Sequence, residues 1–264
     1  MKNILFLTTI ILFVSCKKNT GTKEKIDYSE ENLDVTTSIY PENISKVFKA
    51  HGGLDVWKKM QSLVFEIEHP EGNEKTTTAL KSRESLIETE TFKIGFDGTH
   101  VWLRQEDSLA YKGNARFYYN LMFYFCAMPF ILADDGIIYE DTEPLVFEGK
   151  SYPGIKISYE SGVGESSEDE YVLYYDSETN QMVWLSYTVT YFSKEKSKDF
   201  RYINYSDWQT IDGLLLPKTL TWYHYENNVP TAKKSDMKFT NIKLSAEKPN
   251  ADLFKVPEGA TLVE

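Results

Sequence analysis

Between Asn114 and Ala133 the chain has no polar face. Phe117, Tyr119, Leu121, Phe123, Phe125, Phe130 and Leu132 fall on every side of the helix they would form. A helix that is apolar all round is buried on all sides. Each Phe-class side chain left in water would forgo roughly 1.5–3 kcal/mol of burial. A bilayer is not the expected enclosure: Arg116 precedes the segment, Pro129 interrupts it, and Tyr118, Tyr119 and Tyr124 place hydroxyls within it. Another part of the same chain must therefore surround it.

The rest of the sequence supplies that part. From Leu63 the hydrophobic period is two, with Leu63, Phe65 and Ile67 alternating against Val64, Glu66 and Glu68, as in a half-buried strand. Further strands are predicted over Thr76 to Leu80, Arg83 to Glu90, Phe92 to Phe96 and His100 to Gln105. After the apolar segment they resume at Pro144 to Glu148, Ile155 to Glu160, Tyr171 to Asp176 and Met182 to Tyr191. The last three are Phe200 to Trp208, Lys218 to Tyr225 and Met237 to Leu244. Asp97-Gly98 reads as a two-residue hairpin turn and Asp212-Gly213 as another turn. Ahead of the strands, Ile44, Val47 and Phe48, then Leu54, Trp57 and Met60, recur at helical spacing, with a break expected at His51-Gly52-Gly53. The expected class is α+β and mostly antiparallel, a strongly curved half-barrel sheet with a few helices covering its concave face.

The first fifteen residues read as a lipoprotein signal peptide. A short basic start, Met1-Lys2-Asn3, leads into the apolar run Ile4 to Phe13, which is too short for a span of about 20 residues but long enough for a signal h-region. Phe13-Val14-Ser15-Cys16 resembles a lipobox, with Phe13 where Leu is usual, so Cys16 is the expected lipidation site. An ordinary secretory signal with an incidental cysteine is the alternative. Residues 16–40 are polar and charged and read as a tether carrying the lipidated cysteine; residues 41–264 make one domain. Lys17 is not the acidic residue that retains many lipoproteins at the inner membrane. The expectation is thus an envelope protein, lipid-anchored by palmitate-type acyl chains, at the outer membrane.

The net charge of -11 argues against nucleic acid, which needs clustered Lys and Arg. Once Cys16 is acylated, Cys126 has no cysteine to pair with, and its apolar surroundings suggest an inert buried thiol. The acidic stretch Gly164 to Glu170 lacks the ligand spacing of a calcium loop. No cofactor or metal is expected, because none of the usual nucleophile, phosphate-loop or metal-ligand motifs occurs. His51, His69, His100 and His224 are scattered; His51, beside two glycines, is the one to watch, as a helix-end cap or a functional group. Asp134-Asp135 and Glu140-Asp141 read as solvated loop carboxylates rather than acid/base pairs.

Four motifs in order carry a resemblance. They are Ala50-His51-Gly52-Gly53-Leu54-Asp55-Val56-Trp57, Tyr174-Tyr175-Asp176, Asp212-Gly213-Leu214-Leu215-Leu216-Pro217, and the closing Leu253-Phe254-Lys255-Val256-Pro257-Glu258-Gly259-Ala260. From Ile44 onward the chain resembles the LolA and LolB lipoprotein-carrier superfamily, and more closely an uncharacterised lipoprotein family of Gram-negative bacteria. The resemblance implies an incomplete, strongly curved antiparallel barrel, covered by helices, with an apolar cavity for acyl chains.

The functional expectation is binding or carriage of a hydrophobic ligand, a lipid or acyl chain, and not catalysis. Phe117, Tyr118, Leu121, Met122, Phe125, Met128, Phe130 and Trp57 are the candidates for cavity or lid. They line a cavity in one reading and fill a closed core in the other. The alternatives are a scaffold lipoprotein that docks an envelope protein, and an enzyme acting on a lipid or glycan.

Overall fold

A computed structural model of the chain describes residues 40–160, 166 and 168–263. The expected signal peptide, the expected lipidation site Cys16 and the expected tether up to residue 39 lie outside the described residues. Tyr40, where the expected tether ends, already packs edge-on against Phe48 and Tyr139.

Two short helices open the domain, α1 (Glu42–Ala50) and α2 (Leu54–Trp57). Ile44, Val47 and Phe48 form the buried stripe of α1, the helical spacing read in the sequence. Five strands follow: β1 (Ser62–Ile67), β2 (Glu74–Ala79), β3 (Ser85–Glu88), β4 (Phe92–Phe96) and β5 (Val101–Gln105). The apolar segment comes next, as α3 (Ala115–Tyr118), α4 (Leu121–Cys126) and a 3-10 turn (Phe130–Ala133). Seven strands return, β6 (Ile137–Phe147), β7 (Lys150–Tyr159), β8 (Tyr171–Tyr175), β9 (Met182–Tyr187), β10 (Arg201–Ile211), β11 (Leu214–Glu226) and β12 (Val229–Ser245), and β13 (Thr261–Val263) closes the chain.

The thirteen strands of the described residues form one open antiparallel sheet in the order β13-β5-β4-β3-β2-β1-β12-β11-β10-β9-β8-β7-β6. Its curvature follows from one distance. Six strand spacings separate β6 from β12, about 29 Å in a flat sheet, yet residues of the two come within 8 Å. Register shifts in the β1–β12, β10–β11, β11–β12 and β6–β7 pairs supply the bending that bulges produce.

Cross-strand partners share a face, so the registers assign the two surfaces. Leu63, Phe65 and Ile67 of β1 face inward with Phe239 and Leu244 of β12, Leu220 of β11, Ile203 and Tyr205 of β10, Leu185 of β9, Leu173 of β8 and Ile155 of β7, all in one buried cluster with Phe125, Met128 and Phe130 of the apolar segment. The convex face carries smaller clusters, around Trp184, Tyr174 and Tyr202, and around Trp102 and Phe254. The closing motif serves the second of these: Trp102 Nε1 donates to the Phe254 carbonyl at 3.0 Å, which brings β13 onto β5.

Several sequence expectations are corrected. The apolar segment is three short helical pieces rather than one helix: Asn120, at φ -125 and ψ -2, leaves the helical conformation between α3 and α4, and Pro129, lacking an N–H, separates α4 from the 3-10 turn. Phe96 pairs with Val101, so the β4–β5 loop has four residues, with Asp97 Oδ1 accepting from Thr99 and His100 N–H. β6 begins well before Pro144, through the charged Glu140-Asp141-Thr142-Glu143. Such charges blunt an edge strand and mask its alternation. β12 also begins early, at a two-residue loop of Asn227 and Asn228, both with positive φ, the geometry of a primed hairpin turn.

Candidate functional site

The main core is where most of the candidate residues converge. Trp57 stacks on Phe130 with centroids 4.9 Å apart. Phe125 meets Tyr187 and Trp222 edge-on at 5.4 and 6.1 Å. Phe125, Met128 and Phe130 are at most 3% exposed, whereas Leu121 and Met122 are half-buried against the same cluster. Tyrosine hydroxyls fasten the later part of the segment: Tyr205 donates to the Phe125 carbonyl at 3.2 Å, Tyr40 to Ala133 at 2.9 Å, and Tyr139 to Leu132. The Arg83 guanidinium grips both oxygens of Asp134 just beyond it, at 2.7 and 2.6 Å.

Phe117 and Tyr118 lie elsewhere. Phe117 joins Tyr191 and Phe192 in a ring cluster at 5.2 Å, and Phe192 is 67% exposed. Tyr118 belongs to a satellite cluster with Phe92 and Tyr111 and lines a separate pocket.

His51 is buried completely and tied at both ring nitrogens. Nε2 accepts from Met182 N–H at 3.0 Å and Nδ1 faces the Leu215 carbonyl at 3.3 Å, which sets the Nδ1–H tautomer. Trp208 packs edge-on at 4.4 Å. Burial pushes the imidazole pKa down to about 4. The adjoining glycines complete the fastening. Gly52 has φ +107, and a Cβ there would lie 2.3 Å from the Gly213 carbonyl oxygen. The His51-Gly52-Gly53 and Asp212-Gly213-Leu214-Leu215 motifs are thus two halves of one joint between the end of α1 and the β10–β11 turn.

Three carboxylates of the sequence are held in structural pairs. Asp141 accepts from Asn43 at 2.9 Å, and Glu66 accepts from Asn241 at 2.8 Å. Asp169 of the acidic stretch accepts from both Thr190 N–H and its hydroxyl at 2.6 and 2.8 Å. Cys126 is buried and its thiol is pushed well up by desolvation. Among the described residues, no three His, Cys, Asp or Glu side chains are grouped to hold a metal ion, and no helix is long and apolar enough to cross a membrane.

The sequence reading missed a pocket of about 380 Å³, lined by charged and aromatic side chains, at the β2–β5 end of the sheet. Glu74 forms part of its floor; Phe92, Tyr111 and Tyr118 supply rings, and Glu71, Glu90 and Lys112 supply charge. Glu74 is 3% exposed. Its two oxygens share the Tyr118 hydroxyl at 3.0 and 3.1 Å. The available signal was the alternation in β2, which puts Glu74, Thr76 and Thr78 on the face shared with Ile67, Phe65 and Leu63.

No curated protein matches the chain. Among solved structures, it is similar to a LolA superfamily protein of Nitrosomonas europaea (TM-score 0.45, 10% identity, covering 74% of this chain and 88% of that one). It is also similar to a DUF1329 family protein of Desulfovibrio piger (TM-score 0.45, 12% identity, covering 81% and 98%). A family model matches residues 103–235, half of the chain, and by that match the protein belongs to DUF6503, a family of unknown function.

Proposed function

We propose that this protein is an envelope lipoprotein, acylated at Cys16 and held at the outer membrane, whose domain binds a hydrophobic ligand between the inner face of the sheet and the segment Ala115–Ala133. The ligand class is a lipid or acyl chain, bound without chemical change. One observation carries the reading: a segment with no polar face lies in the concavity of an unclosed sheet, its leading part only half-buried. Contacts of this kind are non-directional, so an apolar ligand can replace them at little cost. Ten methylenes gain about 8 kcal/mol on burial, and uncovering Leu121 and Met122 forgoes roughly 2–3 kcal/mol each at most. Leu121, Met122, Phe125, Met128, Phe130 and Trp57 are then lid and wall; Phe117 and Tyr118 mark the lid's outer end. Two or more acyl chains on Cys16 give a durable anchor.

The test is mass spectrometry of organic extracts from the full chain with Cys16→Ser, purified without detergent, alongside uptake of a fluorescent fatty acid. The variant is expected in the soluble fraction, carrying or taking up about one lipid per chain. A variant that stays with the membrane refutes the anchor. A soluble variant with neither lipid nor uptake refutes the ligand. A second reading, docking of an envelope protein, is favoured by the exposed Phe192 beside Phe117 and Tyr191; solvent-facing aromatics of this kind mark interaction sites.

A further inference from the structure

The pocket at the β2–β5 end differs from the core beside it in carrying charged side chains among its rings. Its deepest charge is Glu74, a carboxylate buried on the inner face of β2, where its β1 partner is Ile67. A buried carboxylate ordinarily has a cationic partner. Glu74 accepts from the neutral hydroxyl of Tyr118, and its nearby basic group is His69, which also lines the pocket and favours the charged carboxylate only when protonated. Burial accordingly pushes its carboxyl above the ordinary value. Glu71 and Glu90 add two acidic side chains to the lining, Lys112 one cationic side chain and His69 an imidazole. The wall is aromatic: Phe92 and Tyr111 have centroids 4.8 Å apart, and Tyr111 and Tyr118 6.4 Å. On the same face of β2, Thr76 and Thr78 carry buried hydroxyls without a hydrogen-bond partner among the described residues.

A cavity with a buried carboxylate that has no permanently charged partner, and with three aromatic side chains in its lining, suits one chemical class. Aromatic faces attract cations whose hydration is weak, quaternary ammonium above all. We propose that this pocket binds an alkylammonium group, its charge beside Glu74 and its carbon substituents against Phe92, Tyr111 and Tyr118. The group comes either from a free amine or from a lipid headgroup, in which case Lys112 faces the phosphate. The site lies outside the apolar core and does not depend on the acyl-chain reading, which stands or falls by lipid content.

Isothermal titration of the full chain with choline chloride, against sodium chloride at equal ionic strength, tests the proposal. Saturable choline binding is expected, weakened at least tenfold by Glu74→Gln, which keeps an acceptor for the Tyr118 hydroxyl, and severalfold by Tyr111→Leu. Both variants are checked for unchanged thermal unfolding. Glycerophosphocholine distinguishes the sources. Binding tighter than choline and reduced by Lys112→Ala identifies a headgroup site; weaker binding, with choline unaffected by Lys112→Ala, identifies a free-amine site. The proposal is overturned if choline does not bind, or if it binds folded Glu74→Gln and Tyr111→Leu as tightly as the parent chain. Should Glu74→Gln fail to fold, Tyr111→Leu alone decides.

Discussion

Acid should loosen the domain at His51 before it affects most carboxylates. In the fold the ring is neutral: Nδ1–H is directed at Leu215 and the Nε2 lone pair accepts from Met182 N–H. Protonating Nε2 sets one N–H against another and buries a charge. The folded pKa is about 4 against 6.5 for a free imidazole, so the unfolded chain takes up the proton first and stability falls as pH drops below 6.5. The difference amounts to about 2 kcal/mol at pH 5 and about 3 kcal/mol near pH 4, where the loss levels off. Buried carboxyls with raised pKa, such as Glu74 and Asp169, push the other way. The assay therefore compares the parent with His51→Gln. Urea midpoints followed by tryptophan fluorescence, with Trp208 beside the ring, are taken from pH 7.5 to 4.5. The variant should start less stable by about 1–3 kcal/mol and lose less on acidification, the gap narrowing by about 2 kcal/mol at pH 5. Parallel loss in both proteins would refute the neutral-latch account.

Two further substitutions probe the joint and the lid. Gly52→Ala places a Cβ 2.3 Å from the Gly213 carbonyl oxygen at φ +107, so it adds a backbone clash to the strain; Gly53→Ala, at φ +89 with open space around it, should cost about 1–3 kcal/mol of backbone strain alone, Gly52→Ala clearly more, and equal urea midpoints would refute the close approach. Phe125→Asp buries an unpaired charge at a site 3% exposed and should unfold the domain, a loss above 4 kcal/mol. Met122→Asp should leave the circular dichroism spectrum intact but abolish fatty-acid uptake, and a variant that still takes up ligand would remove Met122 from the lid.

Much of the fold was legible because it depends on short-range periodicity. The alternation of Leu63, Phe65 and Ile67 marked β1, and the helical spacing of Ile44, Val47 and Phe48 marked α1. The all-apolar stretch after Asn114 demanded enclosure before any strand order was known. Strands whose residues face water on both sides gave no such signal: β6 and the first half of β12 are held by their neighbours in the ladder rather than by a buried face of their own. The family motifs were visible as strings, but their purpose was not, since the contact between Gly52 and Gly213 joins positions far apart in the chain.

The sequence by itself determined the antiparallel class, the helix break at His51-Gly52-Gly53 and the enclosure of the apolar segment, because each is written in neighbouring residues. Only the tertiary structure decided which candidates meet. It put Trp57 on Phe130, moved Phe117 to a surface cluster, and turned Tyr118 onto Glu74. Those partners depend on strand register and on the bending of thirteen strands, quantities that local patterns do not encode.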